Sequence, residues 1–155
     1  MKSLILFCFT LTAISSPTAV NGVEPTSNGS IQTNGSIQIK VSGLKNKGGQ
    51  LGILIFTNKD GFPSDWQKAY KQILIPVSGD KSEYTFTDLP YGKYAVAIMH
   101  DENKNNKLDT NFLGIPKEGY GVSNNATGTM GPPKFEDASF TLDRDIITTD
   151  IKVNY

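Results

Sequence analysis

One stretch of the chain concentrates oxygen-bearing side chains at regular spacing: His100-Asp-Glu-Asn-Lys-Asn-Asn-Lys-Leu-Asp109. Asp101, Asn103, Asn105 and Asp109 stand at positions one, three, five and nine of an EF-hand-type loop, and Lys107 offers a backbone carbonyl at position seven. Alternate residues of a tightly curled loop turn their oxygens toward one centre. Carboxylates supply charge there, and Asn carbonyls fill coordination without added repulsion. The expected cofactor is therefore a hard cation of the Ca²⁺ type. Two positions depart from the pattern. Asn106 stands where the sharp turn favours Gly, although Asn tolerates left-handed backbone better than most residues. Phe112 stands where a bidentate carboxylate belongs, and Glu118 is the acid that would substitute. Without that ligand the expected affinity is roughly 10⁻⁴–10⁻³ M. A metal-free turn whose Asn and Asp side chains cap their own backbone is the competing reading.

His100 is the chain's one histidine and adjoins Asp101. A hydrolase using His100 with nearby carboxylates is an alternative function. Ser123 is the nearest candidate nucleophile, but no nucleophile-elbow sequence surrounds it. A glycosidase would need two carboxylates across a cleft, drawn from Glu102, Glu118, Glu136 and Asp137. No acid, base and nucleophile converge by motif, so a non-enzymatic binding or structural module is the preferred reading.

From Asp109 to Asp137 the strand pattern fades, yet specific clusters recur: Asn111-Phe-Leu-Gly-Ile-Pro, Glu118-Gly-Tyr-Gly, Ser123-Asn-Asn and Gly131-Pro-Pro. A long loop in a compact domain is usually functional or disordered. Phe112, Tyr120 and Phe135 are expected to anchor it as one ordered loop. Tyr91, His100, Phe112, Tyr120 and Asn124 form the candidate ligand-facing surface. A second alternative is a cell-envelope carbohydrate-binding module, with Tyr91, Tyr120 or Trp66 as stacking faces.

These residues need a scaffold, and period-two patterning supplies one. Ser36–Val41 alternates Ile37, Ile39 and Val41 with polar residues. Strands are also expected over 51–56, 72–77, 83–89, 93–99, 138–142 and 146–155. The expected fold is all-β: an antiparallel seven-stranded sandwich, transthyretin- or immunoglobulin-like, with one short helix and one long ordered loop. The short helix falls on Phe62–Tyr70, where Phe62, Trp66 and Tyr70 share a four-residue spacing. That stripe reads as core-facing rather than as a sugar platform.

The chain has 155 residues, enough for one domain. Residues 1–22 read as a signal peptide: Lys2, then an apolar Leu4–Ile14 stretch too short for a permanent bilayer anchor, then small residues. Residues 23–35 read as a polar leader carrying the first copy of a repeat, Asn28-Gly-Ser-Ile-Gln. The second copy, from Asn34, begins the first strand of the 36–155 domain. The expected location is the periplasm or the extracellular space. Cys8, the single cysteine, lies inside the apolar stretch, which excludes disulfides and thiol catalysis from the processed chain. Fifteen basic residues balance fifteen acidic ones, and Arg144 is the lone arginine. Nucleic acid is thus an unlikely class of partner. An extracellular or envelope ligand, glycan or protein, is expected instead.

Leu89-Pro-Tyr-Gly-Lys-Tyr-Ala-Val-Ala-Ile-Met-His-Asp, Asn103–Asp109, Thr110-Asn-Phe-Leu-Gly-Ile-Pro, Glu118-Gly-Tyr-Gly, Ser123-Asn-Asn and Gly131-Pro-Pro together resemble the bacterial domain of unknown function 2141. The resemblance covers about residues 36–155. It implies an exported domain similar to transthyretin- and prealbumin-like sandwiches, where a Leu-Pro-Gly-x-Tyr corner leads into a strand. Here Tyr91 is inserted before the Gly of that corner. The family implies no biochemical activity.

Overall fold

The computed structural model describes residues 33–45, 48–113, 115–129 and 131–155. The signal-peptide reading and most of the leader fall outside the described residues. Among the described residues eight strands form: β1 (Asn34–Ser42), β2 (Gln50–Phe56), β3 (Lys71–Pro76), β4 (Lys81–Pro90), β5 (Gly92–Asp101), β6 (Gly119–Val122), β7 (Phe140–Leu142) and β8 (Ile146–Lys152). They make two sheets, β4-β1-β8 and β3-β2-β5-β6, with β7 paired to the start of β5. The all-β, two-sheet class is as expected.

Three details differ. β1 starts at Asn34, two residues before the expected domain boundary. The β1–β8 pair is parallel, with Ile37 opposite Ile147 and Val41 opposite Ile151; alternation alone carries no strand direction. The eighth strand, β6, lies within the stretch expected to be loop. Two of its four residues, Gly119 and Gly121, are glycine, and glycine inside a strand usually marks a close backbone approach. That approach is present: a Cβ on Gly121 would stand 2.7 Å from the Lys152 carbonyl oxygen. Tyr120 and Asn154 exchange backbone hydrogen bonds of 2.8 Å in each direction. The C-terminal residues thus bridge to β6 instead of extending β8 to Tyr155.

Two apolar clusters hold the domain. The first fills the sandwich with Ile37, Ile39 and Val41 of β1, Phe86 and Leu89 of β4, and Leu51, Ile53, Ile55, Val96 and Ile98 of β2 and β5. The second lies on the other face of β2 and β5, where Leu54, Phe56, Ala95, Ala97 and Val122 meet Phe135 and Ala138. β2 and β5 are therefore covered on both faces. This is why their sequences run apolar without a break while β1 alternates. Burying a large apolar side chain is worth about 1.5–3 kcal/mol. Such burial fixes β5, and with it the His100–Asp101 end that starts the oxygen-rich loop.

The 62–70 segment covers part of the second cluster. It holds one 3₁₀ turn (Trp66–Lys68) rather than a regular helix, opened by the Asp65 side chain accepting from Gln67 N at 3.1 Å. Phe62 sits edge-on to Phe56 at 5.4 Å and Phe135 at 5.9 Å, and Trp66 packs on the same cluster. Tyr70 leaves this face. It is 46% exposed and lies 6.2 Å from the Tyr94 ring. The core-facing reading thus applies to Phe62 and Trp66 only.

Chain passes from the first sheet to the second at the Leu89–Tyr94 corner. Asp88 adopts a left-handed backbone (φ 55°) and Tyr94 Oη donates to the Pro90 carbonyl at 2.7 Å. Tyr91 N donates to Thr33 O at 2.7 Å, which ties the corner to the start of β1.

Candidate functional site

β5 ends by burying both His100 and Asp101 completely. Asp101 then receives the loop that follows it. Its Oδ1 accepts from Asn105 N at 3.1 Å, and its Oδ2 accepts from Asn106 N at 2.8 Å and Gln50 Nε2 at 2.7 Å. Burial alone would raise this carboxyl's pKa. The Gln50 amide and the backbone N–H groups of Asn106, Asn105 and Lys104 outweigh it and hold the group below the usual carboxylate range. Gln50 Nε2 also donates to Asn106 Oδ1 at 2.8 Å, joining β2 to the loop.

The tight curl requires left-handed backbone at two residues, Lys104 (φ 63°) and Asn106 (φ 60°). Asn106 therefore does adopt the geometry expected of position six. Asn side chains propagate the curl through Asx turns. Asn103 Oδ1 accepts from Asn105 N at 3.0 Å, and Asn105 Oδ1 from Lys107 N at 2.8 Å. The amide ends of both converge on Asp109: Asn103 Nδ2 reaches Oδ2 at 2.6 Å, and Asn105 Nδ2 reaches both oxygens at 3.1 and 3.2 Å. The side chains at positions three, five and nine thus meet, while Asp101 at position one meets position five through its backbone N–H. Among the described residues, no group of three or more His, Cys, Asp and Glu side chains is placed to hold a metal ion. The loop itself brings three carboxylates, Asp101, Glu102 and Asp109, and its remaining side-chain oxygens are amides.

Glu118 is buried and spans the two ends of the loop. Oε1 accepts from Glu102 N and Oε2 from Asp109 N, each at 3.0 Å. Each oxygen is engaged by backbone, so Glu118 closes the loop. Nothing in the spacing indicated this role, because the bonds run to backbone sixteen and nine residues away.

The remaining candidates separate. Both ring nitrogens of His100 are engaged, Nδ1 with Tyr155 Oη at 2.6 Å and Nε2 with Gly48 O at 2.9 Å. A carbonyl only accepts, so Nε2 carries the proton and Nδ1 accepts from the tyrosine hydroxyl. Tyr155 Oη accepts in turn from Lys45 N at 3.0 Å. With both nitrogens of the buried imidazole engaged, neither faces a substrate. Burial, only partly offset by the Lys45 N–H, pushes the Tyr155 hydroxyl's pKa up. Ser123 is equally buried. Its Oγ accepts from Val96 N at 2.9 Å and donates to Ala138 O at 2.6 Å. Asn124 Nδ2 donates to Asp137 O at 3.2 Å and Ser139 O at 3.0 Å; Asn125 Nδ2 donates to Asp150 O at 3.2 Å, and its Oδ1 accepts from Lys152 N at 2.8 Å. Both Asn residues have left-handed backbone. The Ser-Asn-Asn cluster thus ties the helical turn α1 (Phe135–Ala138) and β8 to the sheet. Tyr91 stands apart at the β4–β5 corner, its hydroxyl pKa raised first by burial and then by Asp145.

Tyr120 is half-buried and lines a shallow apolar cleft with Trp66, Met99 and Leu108. The three expected anchors of the long segment behave differently. Phe135 is buried in the second cluster, Tyr120 is partly covered, and Phe112 anchors nothing, being 95% exposed.

Residues 39–149 match the family described as an uncharacterized protein conserved in bacteria, DUF2141. The chain belongs to this family. The DUF2141 match spans β1 to β8 and so includes both the Asp101–Asp109 loop and the Ser-Asn-Asn cluster. No curated protein and no solved structure matches the chain. Among the described residues, no helix is long and apolar enough to cross a membrane.

Proposed function

We propose that this DUF2141 chain is an exported, non-enzymatic binding module whose Asp101–Asp109 loop holds a calcium-type cation and so stiffens residues 102–118. The signal-type pattern of residues 1–22 supports export. One observation carries the cation reading: the side-chain ends of Asn103, Asn105 and Asp109 meet within hydrogen-bond distance, and the buried Asp101 carboxylate accepts from Asn105 N in the same turn. The two amide groups point their N–H₂ ends at Asp109 in this arrangement. Each amide oxygen already accepts an Asx-turn bond, from Asn105 N or Lys107 N, and its second lone pair is what it would offer a cation. A cation there would replace amide donors as the partner of Asp109. Phe112 supplies no ligand, and Glu118 is occupied by backbone, so the site would be short of carboxylates and its affinity modest, about 10⁻⁴–10⁻³ M. Calorimetric titration with Ca²⁺, with melting in the presence and absence of chelator, tests the reading. At about ten times Kd, mass action adds about 1.4 kcal/mol of stability. Asp109→Asn should abolish both heat and shift. Absence of heat and shift in the wild-type protein would remove the cation from the account.

The cleft lined by Trp66 and Tyr120 favours a second reading, carbohydrate binding, because two aromatic faces border one apolar surface. A glycan array with wild-type and Tyr120→Ala protein decides it. Binding that is absent, or equal in the two proteins, counts against it.

A further inference from the structure

The segment beyond Asp109 turns sharply at its tip and presents apolar side chains to solvent. Thr110 and Pro116 form an isolated antiparallel bridge, and Lys117 N donates to Asp109 O at 2.8 Å. Above this base, Asn111 organises the turn. Its side-chain Oδ1 accepts from Leu113 N at 2.9 Å and Ile115 N at 3.0 Å, while its own N donates to Ile115 O at 2.8 Å. Phe112, Leu113 and Ile115 are 95%, 68% and 55% exposed. A turn built this way keeps three large apolar groups in water, at a cost, when the same chain buries Phe56, Phe86 and Phe135.

We infer that this tip is an interfacial anchor that inserts into the surface of a lipid bilayer. Three features select a bilayer over a protein partner. The apolar surface is a narrow projection of three side chains, a few hundred Å² at most. A stable protein–protein interface needs about 800 Å² from each partner. The backbone N–H groups of Asn111, Leu113 and Ile115 are already bonded within the turn, so moving them into an apolar layer leaves them satisfied. Lysine side chains at the base also suit a headgroup layer. Lys107 and Lys117 are exposed within three residues of the Thr110–Pro116 bridge, and their long stems let the ammonium groups stay at headgroup level while the tip enters. Acids share this base, since Glu118 clamps Glu102 N and Asp109 N together, so the two lysines balance nearby carboxylates. Three apolar side chains with two lysines give reversible attachment. The anchor does not depend on the cation: either proposal can fail alone.

Co-sedimentation of the purified full chain with vesicles of phosphatidylethanolamine and phosphatidylglycerol tests the anchor. Any contribution of the 4–14 stretch is common to wild type and variants. Phe112→Ser with Leu113→Ser should lower partitioning by about tenfold or more with an unchanged melting temperature, since both residues are exposed. Phe112→Trp should show blue-shifted emission on vesicle addition and quenching by brominated lipid; Lys107→Gln with Lys117→Gln should weaken binding several-fold on anionic vesicles only. Unchanged partitioning of the serine variant, or Phe112→Trp emission blind to lipid, overturns the proposal. Self-association lost in the serine variant without any lipid dependence also overturns it, in favour of contact between copies.

Discussion

Between β5 and β7 the chain runs through two stretches of similar Asn- and Gly-rich character. Residues 102–118 are mostly exposed. Their shape comes from polar groups aimed at backbone: Asp101 and Glu118 from buried positions, Asn103, Asn105 and Asn111 from the surface. Residues 119–139 contain β6 and α1 and bury Val122, Phe135 and Ala138 in the second apolar cluster, with Ser123 and Asn124 closing the polar bonds underneath. The second stretch is part of the core. The first is attached to it chiefly through two carboxylates. Segments held by few apolar contacts open locally at lower cost, so the first stretch is the one whose order a ligand can change.

The contrast can be broken by substitution. Phe135→Ala should cost about 3–5 kcal/mol in denaturant unfolding, because it empties a site shared by Phe62 and the second cluster. Ser123→Ala leaves Val96 N and Ala138 O without their buried partner and should cost about 1–3 kcal/mol in the same measurement. Both losses should appear in global unfolding. Asp101→Asn should instead act mainly on the loop. The folded Asp101 carboxyl has a lowered pKa, so its contribution is complete above the unfolded value of about 3.9 and is lost as pH falls through the lower folded value. Wild-type stability should therefore fall more steeply below about pH 4 than that of Asp101→Asn, in paired unfolding curves. Phe112→Ser, at the exposed tip, should change stability by less than about 0.5 kcal/mol. A large loss there would mean that the first stretch packs on the core after all.

Strand alternation made β1 legible, and the continuous apolar runs made β2 and β5 legible, because burial imposes those patterns directly on sequence. The spacing of Asn103, Asn105 and Asp109 likewise marks side chains that hydrogen-bond to one another, since such bonds act over a few residues. Long-range dependencies were not legible. β6 is permitted by the C-terminal residues crossing its glycines, and Glu118 is defined by two amides brought to it by the fold. His100 and Ser123 look like catalytic residues in sequence because buried hydrogen-bond relays use the same side chains as active sites. Phe112 was misread as an anchor since an aromatic residue in a loop usually packs, and nothing local shows that Asn111 holds the turn from inside.

Backbone amide exchange measured residue by residue, with and without Ca²⁺, tests the central claim most directly. The N–H groups of Glu102, Asn105, Asn106, Lys107 and Asp109 are bonded to side-chain oxygens of the loop and its clamp. A cation held among Asp101, Asn103, Asn105 and Asp109 should slow their exchange about tenfold at saturation, as a second stabilising contact of about 1.4 kcal/mol does. Exchange at Val122, Ser123 and Ala138 should change far less. Equal rates at the loop amides with and without Ca²⁺, or equal slowing in both stretches, would contradict a cation site at Asp101–Asp109.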